Sequence, residues 1–344
     1  MDDSISSRSL IRSLPKAELH LHLEGSIEPA TLLELQKRHG SNDAGVAANA
    51  TLAEVEQLYN FTDFLGFLEA FKNVTGHLRT PDDYELITYR LMERLKAENI
   101  LHAEVIVSVG VCLWRKQDFP AIFEGLERGR QRGEADFGIS LLWIFDAIRQ
   151  FGAEKAQNVL DLAIQFHDRN VVAFGIGGDE LKGPPDLFPA VYARAAEHGL
   201  HLTAHAGEIA GPESIWGALN LRAERIGHGL TAGQDPELIE ELARRQIPIE
   251  ICVTSNLRTG CCPELSQHPV RRYFDEGLML TLNSDDPAMF RTSLVGEYEL
   301  VQRAFNFSDD HLRELARNSF EASFLPPEKK VEFLNLFDGA TLRS

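Results

Sequence analysis

Hydrophobic positions along this chain fall into short, near-continuous blocks separated by longer amphipathic stretches. Eight blocks read as strands: 17–23, 100–107, 139–145, 171–176, 200–205, 225–228, 247–253 and 278–283. Several are almost unbroken runs of Val, Ile, Leu and Phe, as a parallel strand requires when both its faces are buried. Helical patterns lie between them. Residues 82–98 carry Tyr84, Ile87, Leu91 and Leu95 on one stripe, and 187–198 and 236–245 read similarly. Strand alternating with helix predicts a parallel α/β sheet. Chemically capable residues stand at the ends of the first, fifth, sixth and eighth strands. An open sheet would hold the first and last strands far apart, so the predicted fold is a closed (β/α)₈ barrel of the TIM type. It is read as one domain over 1–344, since no repeat, low-complexity tract or linker divides it. Residues 309–337 read as C-terminal helices without chemistry of their own.

One segment departs from the alternation. Residues 39–51 (HGSNDAGVAANAT) read as a mobile loop. A helical and unusually aromatic stretch follows, with Leu58, Phe61, Phe64, Leu65, Phe67, Leu68 and Phe71. This insertion, about 39–75, comes directly after a strand that bears candidate ligands. It is therefore expected to cover the pocket as a helical lid. The plainer reading is an outer helix in ordinary packing.

Composition narrows the function classes. With 44% hydrophobic and 25% charged residues, the chain is an ordinary soluble one. A formal net charge of −18 would repel a phosphate backbone, so no nucleic-acid partner is expected. No run is long and apolar enough to span a bilayer, so no membrane association is expected. The first 16 residues lack the apolar core of a secretory signal, which makes the cytoplasm the expected location. Four cysteines in 344 residues form no disulfide framework. Cys261 and Cys262 are adjacent and would point to opposite faces of a strand, so ordinary thiols are expected there.

The candidate chemistry begins at Glu18-Leu19-His20-Leu21-His22-Leu23-Glu24-Gly25. Residues two apart on a strand share a face, so His20 and His22 can aim two imidazoles at one point. His205, His228 and Asp285 stand at the ends of three later strands. In such barrels the active site lies at the C-terminal ends of the strands. Neutral imidazoles with one carboxylate suit Zn²⁺ and leave a position open for water. A single strand histidine is usually structural. The shared position at strand ends sets these four apart from His39, His77, His102, His167, His198, His201, His268 and His311.

These segments resemble the adenosine deaminase family of the amidohydrolase superfamily. The similarity rests on residues 15–26, Gly177-Gly178-Asp179-Glu180, His205-Ala206-Gly207-Glu208, Arg225-Ile226-Gly227-His228-Gly229 and Asn283-Ser284-Asp285-Asp286-Pro287, and runs in order to Ser323-Phe324-Leu325-Pro326. The resemblance implies a (β/α)₈ barrel with one catalytic zinc that replaces the 6-amino group of a purine by oxygen. It implies that His20, His22, His205 and Asp285 are the zinc ligands. It makes His228 the histidine beside the water, with Asp285 sharing the handling of its proton. It also makes Glu208 the general acid, Gly178 a backbone contact to the purine and Asp286 the partner of N7. Glu24 stands where adenosine enzymes usually carry Asp, a departure that bears on the sugar side of the pocket. Strand four has no lysine to bridge a second metal, which favours a single ion.

The expected substrate is a small-molecule purine nucleoside, adenosine or 6-aminodeoxyfutalosine, an adenosine-like nucleoside with a carboxyphenyl-ketone tail. Deamination of free adenine is the alternative enzyme reading. A pseudo-enzyme that binds nucleoside or a partner protein is the alternative outside catalysis, and it would be expected to lack a ligand or Glu208. Arg258 and Arg149 lie near strand ends and are candidates to meet a substrate carboxylate.

Overall fold

The structure is a computed structural model that describes residues 10–39 and 50–341. Eight parallel strands follow one another in chain order: β1 (Lys16–His22), β2 (Ile100–Val107), β3 (Ser140–Ile148), β4 (Val171–Gly177), β5 (His201–Ala206), β6 (Arg225–His228), β7 (Ile249–Ile251) and β8 (Leu280–Leu282). Helices separate the strands and pack outside them, as predicted for a (β/α)₈ barrel. The helix Pro236–Arg245 illustrates the local logic. Asp235 accepts hydrogen bonds from the Glu237 and Leu238 N–H groups, Pro236 takes the first turn, and Leu238, Ile239 and Leu242 are buried. The stripe predicted for 82–98 is the buried face of the helix Pro81–Ala97.

Two strand boundaries differ from expectation in an informative way. The apolar run 247–253 narrows to β7, because Val253 already opens the helix Val253–Arg258. Hydrophobicity alone does not separate a buried strand end from a buried helix start. β3 runs on to Ile148, beyond the expected 145, and so delivers Asp146 to the strand end.

β8 meets β1 through a single parallel bridge between Leu21 and Asp285. The His22 N–H donates to the Asp285 carbonyl at 2.8 Å, and the Asp285 N–H donates to the His20 carbonyl at 3.1 Å. Asn283 Oδ1 accepts from the Leu19 and His20 N–H groups at 2.9 and 3.1 Å, and Glu18 accepts from the Ser284 N–H and hydroxyl. The Asn283-Ser284-Asp285 run thus nearly closes the barrel before it contributes chemistry.

The barrel interior is charged. Arg225 on β6 crosses to Glu104 on the opposite strand β2 at 2.5 Å and reaches Glu250 on β7 at 2.6 Å. Phe324 lies under the Arg225 guanidinium, 3.8 Å from ring centroid to carbon, and joins Ile106, Ile144 and Ala173 in an apolar plug. The C-terminal segment, read as inert, therefore seals the floor of the barrel.

Most of the predicted loop 39–51 lies outside the described residues. The aromatic stretch after it forms the helix Phe64–Thr75, whose Asp63 cap accepts from the Gly66 N–H. Phe67 packs on Phe61 and on Phe290. Arg115 donates to the Lys72 and Thr75 carbonyls, tying the helix end to the segment after β2. No helix among the described residues is long and apolar enough to cross a membrane.

Candidate active site

The expected ligands converge at the C-terminal mouth of the barrel. His22 Nε2 lies 3.2 Å from His205 Nε2 and 3.3 Å from Asp285 Oδ1, and His20 Nε2 lies 3.5 Å from the same oxygen. Donors about 2.0–2.1 Å from one ion at tetrahedral angles stand roughly 3.3 Å apart, and these three separations are of that order. His228 is set back. Its Nε2 is 3.9 Å from Asp285 Oδ2 and 3.8 Å from Glu208 Oε2. Asp285 and His228 both adopt left-handed backbone, φ 64° and 65°, strain that turns their side chains into the mouth.

Groups behind the ligands set their orientation. Glu250 Oε2 holds His20 Nδ1 at 2.8 Å, and the Ile176 carbonyl holds His205 Nδ1 at 3.1 Å, which leaves each Nε2 facing the centre. His20 Nε2 is buried and has no hydrogen-bond partner, as a ligand atom should be. Burial pushes the His22 and His228 imidazoles down to about 4, and His205 well below the usual histidine range, so all three are neutral. His20 behaves differently. Burial opposes its charge, but the carboxylates of Asp285 and Glu250, which face its two ring nitrogens at 3.5 and 2.8 Å, raise it to about 10. The site thus favours a positive charge at this point, which a bound cation would supply. Cys252 also lies near His20 and Asp285; its thiol donates to the Glu250 carbonyl at 3.6 Å and is held well above its ordinary range by burial and then by neighbouring carboxylates.

A cavity of about 500 Å³ opens over this cluster, lined by His22, His205, Glu208, His228, Asp285, Asp286 and Gly178 among others. Glu208 is held well above the ordinary carboxyl range by burial, then by the charges of Asp285 and Glu180. Asp286 is raised likewise by burial and by Asp285, and its Oδ1 is buried without a partner. Gly25 makes room for Asp286, since a Cβ there would stand 1.8 Å from Oδ1. Gly178 has φ 99°, and a Cβ on it would meet Gln150 Oε1 at 2.4 Å, so only glycine brings this backbone to the cavity.

Other expected residues fall elsewhere. Glu24 is buried behind the wall, one oxygen accepting the Ser108 N–H at 3.0 Å and the other without a partner. Arg149 and Arg258 do not line the cavity. Arg149 is fully buried, 3.5 Å from Glu180, and Arg258 sits over the Phe61 ring. Asp146, which the strand reading stopped short of, is on the wall with its carboxyl pushed up to about 7 by burial. The signal that could have found it is a lone acid inside an apolar run, Trp143-Ile144-Phe145-Asp146.

An eight-stranded parallel barrel with a His₃Asp cluster at its mouth defines a metal-dependent hydrolase. The chain belongs to the Adenosine deaminase family, which it matches over residues 15–340. It is 38% identical over 336 residues to the aminodeoxyfutalosine deaminase of Streptomyces avermitilis, covering 97% of this chain and 93% of that protein. It is 37% identical over 327 residues to the adenine deaminase of Cupriavidus pinatubonensis, covering 94% and 91%. An amidohydrolase from Burkhoderia ambifaria, crystallised with bound zinc, superposes with a TM-score of 0.87 at 27% identity, covering 97% of this chain and 93% of that one. The protein is accordingly a hydrolytic deaminase that breaks a C–N bond of an aminopurine.

Proposed function

We propose that this enzyme deaminates a 6-aminopurine nucleoside, using one zinc ion held by His20, His22, His205 and Asp285. The observation that carries the reading is that His22 Nε2 lies 3.2 Å from His205 Nε2 and 3.3 Å from Asp285 Oδ1, with His20 Nε2 3.5 Å from that oxygen, beside a cavity that Glu208, His228 and Asp286 line. A divalent ion held by this set would lower the pKa of a water it binds towards neutrality. The zinc of the Burkhoderia neighbour supports the choice of metal.

The chain's own residues handle the protons. The Asn256 amide donates to His228 Nδ1 at 3.2 Å, so the neutral ring carries its proton on Nε2. That N–H faces the edge of the site where the incoming oxygen and Asp285 stand, and it steers them. As oxygen adds to C6, electron density moves onto N1. Glu208, kept protonated by its surroundings, gives its proton to N1. N7 accepts from the raised carboxyl of Asp286, whose unpartnered Oδ1 fits that task, and Gly178 borders the ring. Asp285 takes the proton that the incoming oxygen gives up and passes it to the amine, the hydroxyl proton on C6 returns to Glu208, the C6–N bond breaks, ammonia leaves, and the 6-oxo purine remains.

The cavity favours a substrate longer than the base. Beyond the ligands it runs out to Leu65, Trp114 and Phe151, exposed by 67, 55 and 38%. A cavity of this size encloses a drug-sized molecule. Glu24 bears on the sugar end through Ser108, which lines the wall. If the far end of the substrate is a carboxylate, Lys72 is the cation to meet it. Lys72 is on the cavity wall with only exposed Glu69 beside it, whereas Arg115 is engaged by backbone carbonyls. The adenine deaminase of Cupriavidus supports the second reading, action on the free base. The deciding experiment is ammonia release from adenosine, adenine and 6-aminodeoxyfutalosine by the zinc-loaded protein. We expect a nucleoside to have the highest kcat/KM, and adenine as the best of the three would overturn the reading.

The helix Phe64–Thr75 is assigned the role of lid. Its Phe64, Phe67, Leu68 and Phe71 side chains line the cavity, and burying them over a ligand adds roughly 25 cal/mol per Å² of apolar surface. Hydrogen exchange across 61–75 is expected to slow when a transition-state-like inhibitor binds. Unchanged exchange would leave the helix as ordinary packing.

A further inference from the structure

Glu180 follows Gly178 by two residues in the turn after β4, is 2% exposed, and has no part in the proton steps above. Its Oε1 accepts from the Gly207 N–H at 2.8 Å and the Ser214 hydroxyl at 2.6 Å. Its Oε2 accepts from the N–H groups of Glu208, Ile209 and Ala210 at 2.9, 2.7 and 3.0 Å. Four consecutive backbone donors and one hydroxyl therefore close on a single carboxylate. The segment they belong to leaves β5 after Ala206, one residue past His205, and carries Glu208. Behind Glu180 lies Arg149, fully buried, with Nη1 3.5 Å from Oε1 and none of its three nitrogens hydrogen-bonded. Its charge balances the buried carboxylate without competing for the lone pairs that the turn occupies.

We propose that Glu180, backed by Arg149, is the positioning residue that aims Glu208 at the reacting ring. The inference rests on the reading of Glu208 as the acid. A turn without regular structure has its N–H groups free to rotate, and a carboxyl three bonds from such a backbone would wander. Fixing four successive N–H groups fixes the peptide planes and with them the direction of the Glu208 side chain. Glutamine cannot replace this carboxylate. Its amide offers one acceptor oxygen, and its NH₂ would face donors.

Glu180 also acts at a distance. The groups that face Glu208 are Asp285 and Asp286 after β8, Glu180 after β4, His228 on β6, His20 on β1, Arg149 after β3, and the thiols of Cys252 and Cys261 after β7. Burial raises the Glu208 carboxyl most. The charges of Asp285 and Glu180 add to the rise, and His20 and Arg149 oppose it. A general acid works protonated, so activity falls on the alkaline side as it ionises. Removing the Glu180 charge lowers the Glu208 pKa and moves the alkaline limb of kcat/KM to lower pH. Removing the Arg149 charge moves it to higher pH.

The test compares Glu180→Gln, Glu180→Asp, Arg149→Met and Glu208→Gln as zinc-loaded enzymes, with metal content and pH–rate profiles measured for each. Glu180→Gln is expected to keep its metal and its KM and to lose about 10–100-fold in kcat, as for groups that orient a functional side chain from behind. Its alkaline limb shifts to lower pH. Glu180→Asp keeps the charge on a shorter arm, so it loses kcat with the limb in place. Glu180→Gln at the wild-type rate beside an inactive Glu208→Gln would overturn the proposal alone. Loss of activity in Glu180→Gln with an unmoved limb would reduce Glu180 to a support of the fold and overturn it as well. A fully active Glu208→Gln would remove the acid and this inference together.

Discussion

Glu208→Gln is expected to fold, to keep its metal and to lose deamination by about 10²–10⁴-fold, the usual cost of removing a positioned general acid. The fold survives because the contacts that fix residue 208 are backbone ones. Its N–H is held by Glu180, and the amide side chain is nearly the same shape as the acid. Substrate binding survives because a glutamine NH₂ can still donate to N1. What is lost is the proton that N1 receives as C6 becomes tetrahedral. The effect should therefore appear in kcat with KM nearly unchanged. Steady-state ammonia release, with metal content measured on the same sample, checks it. Turnover at the wild-type rate would show that the acid is another group. Asp286 would be the first to examine, being the other carboxyl on this wall held well above its ordinary range.

The second large effect concerns the metal. One divalent ion per active chain is expected, and chelation should abolish activity until zinc is restored. Asp285→Asn separates the residue's two tasks. Its part in joining β8 to β1 uses only backbone, through the His22 N–H and the His20 carbonyl, so the variant should keep the barrel. Its side chain is the only carboxylate in the ligand set. Burial opposes its ionisation, but His20, the one imidazole raised enough to carry a charge, outweighs that and holds it well below the usual carboxylate range. Neutral asparagine leaves three imidazoles and no counter-charge for a divalent ion. Asp285→Asn should show wild-type circular dichroism, substoichiometric metal and no turnover. The metal-free wild type should also melt earlier, since a ligand present at 100 times its Kd stabilises the folded state by about 2.7 kcal/mol. Two metals per active chain, or full activity without metal, would defeat the assignment.

Much of the site was legible in sequence because strand geometry is local. The i, i+2 spacing of His20 and His22 places two rings on one face wherever the strand goes. Asp286 and Gly178 came only with the resemblance, since spacing carries no information about which acid meets N7. Glu24 illustrates the limit of such transfer. Its motif position suggested a direct sugar contact, whereas its carboxylate lies behind the wall and binds the Ser108 N–H, a residue 84 positions away. Arg149 shows the same limit. A strand-end arginine reads as available for an anion until a buried acid, Glu180, is found beside it.

The chain by itself determined the eight-strand alternation, the parallel barrel and the order in which the ligand segments arrive. Each follows from periodicity within a window of residues, and burial on both faces leaves a plain record in Val, Ile and Leu. Tertiary structure alone decided the rest. It carried β3 on far enough to bring Asp146 to the mouth. It made Phe324 the plug beneath Arg225, and it joined β8 to β1 through the backbone of a ligand residue. It also assembled Glu180 with the 207–210 turn. The physical reason is common to all of these. They depend on which polar groups are left without partners once the barrel forms, and a buried polar group is satisfied by whatever lies near in space, at a separation along the chain that no local pattern encodes.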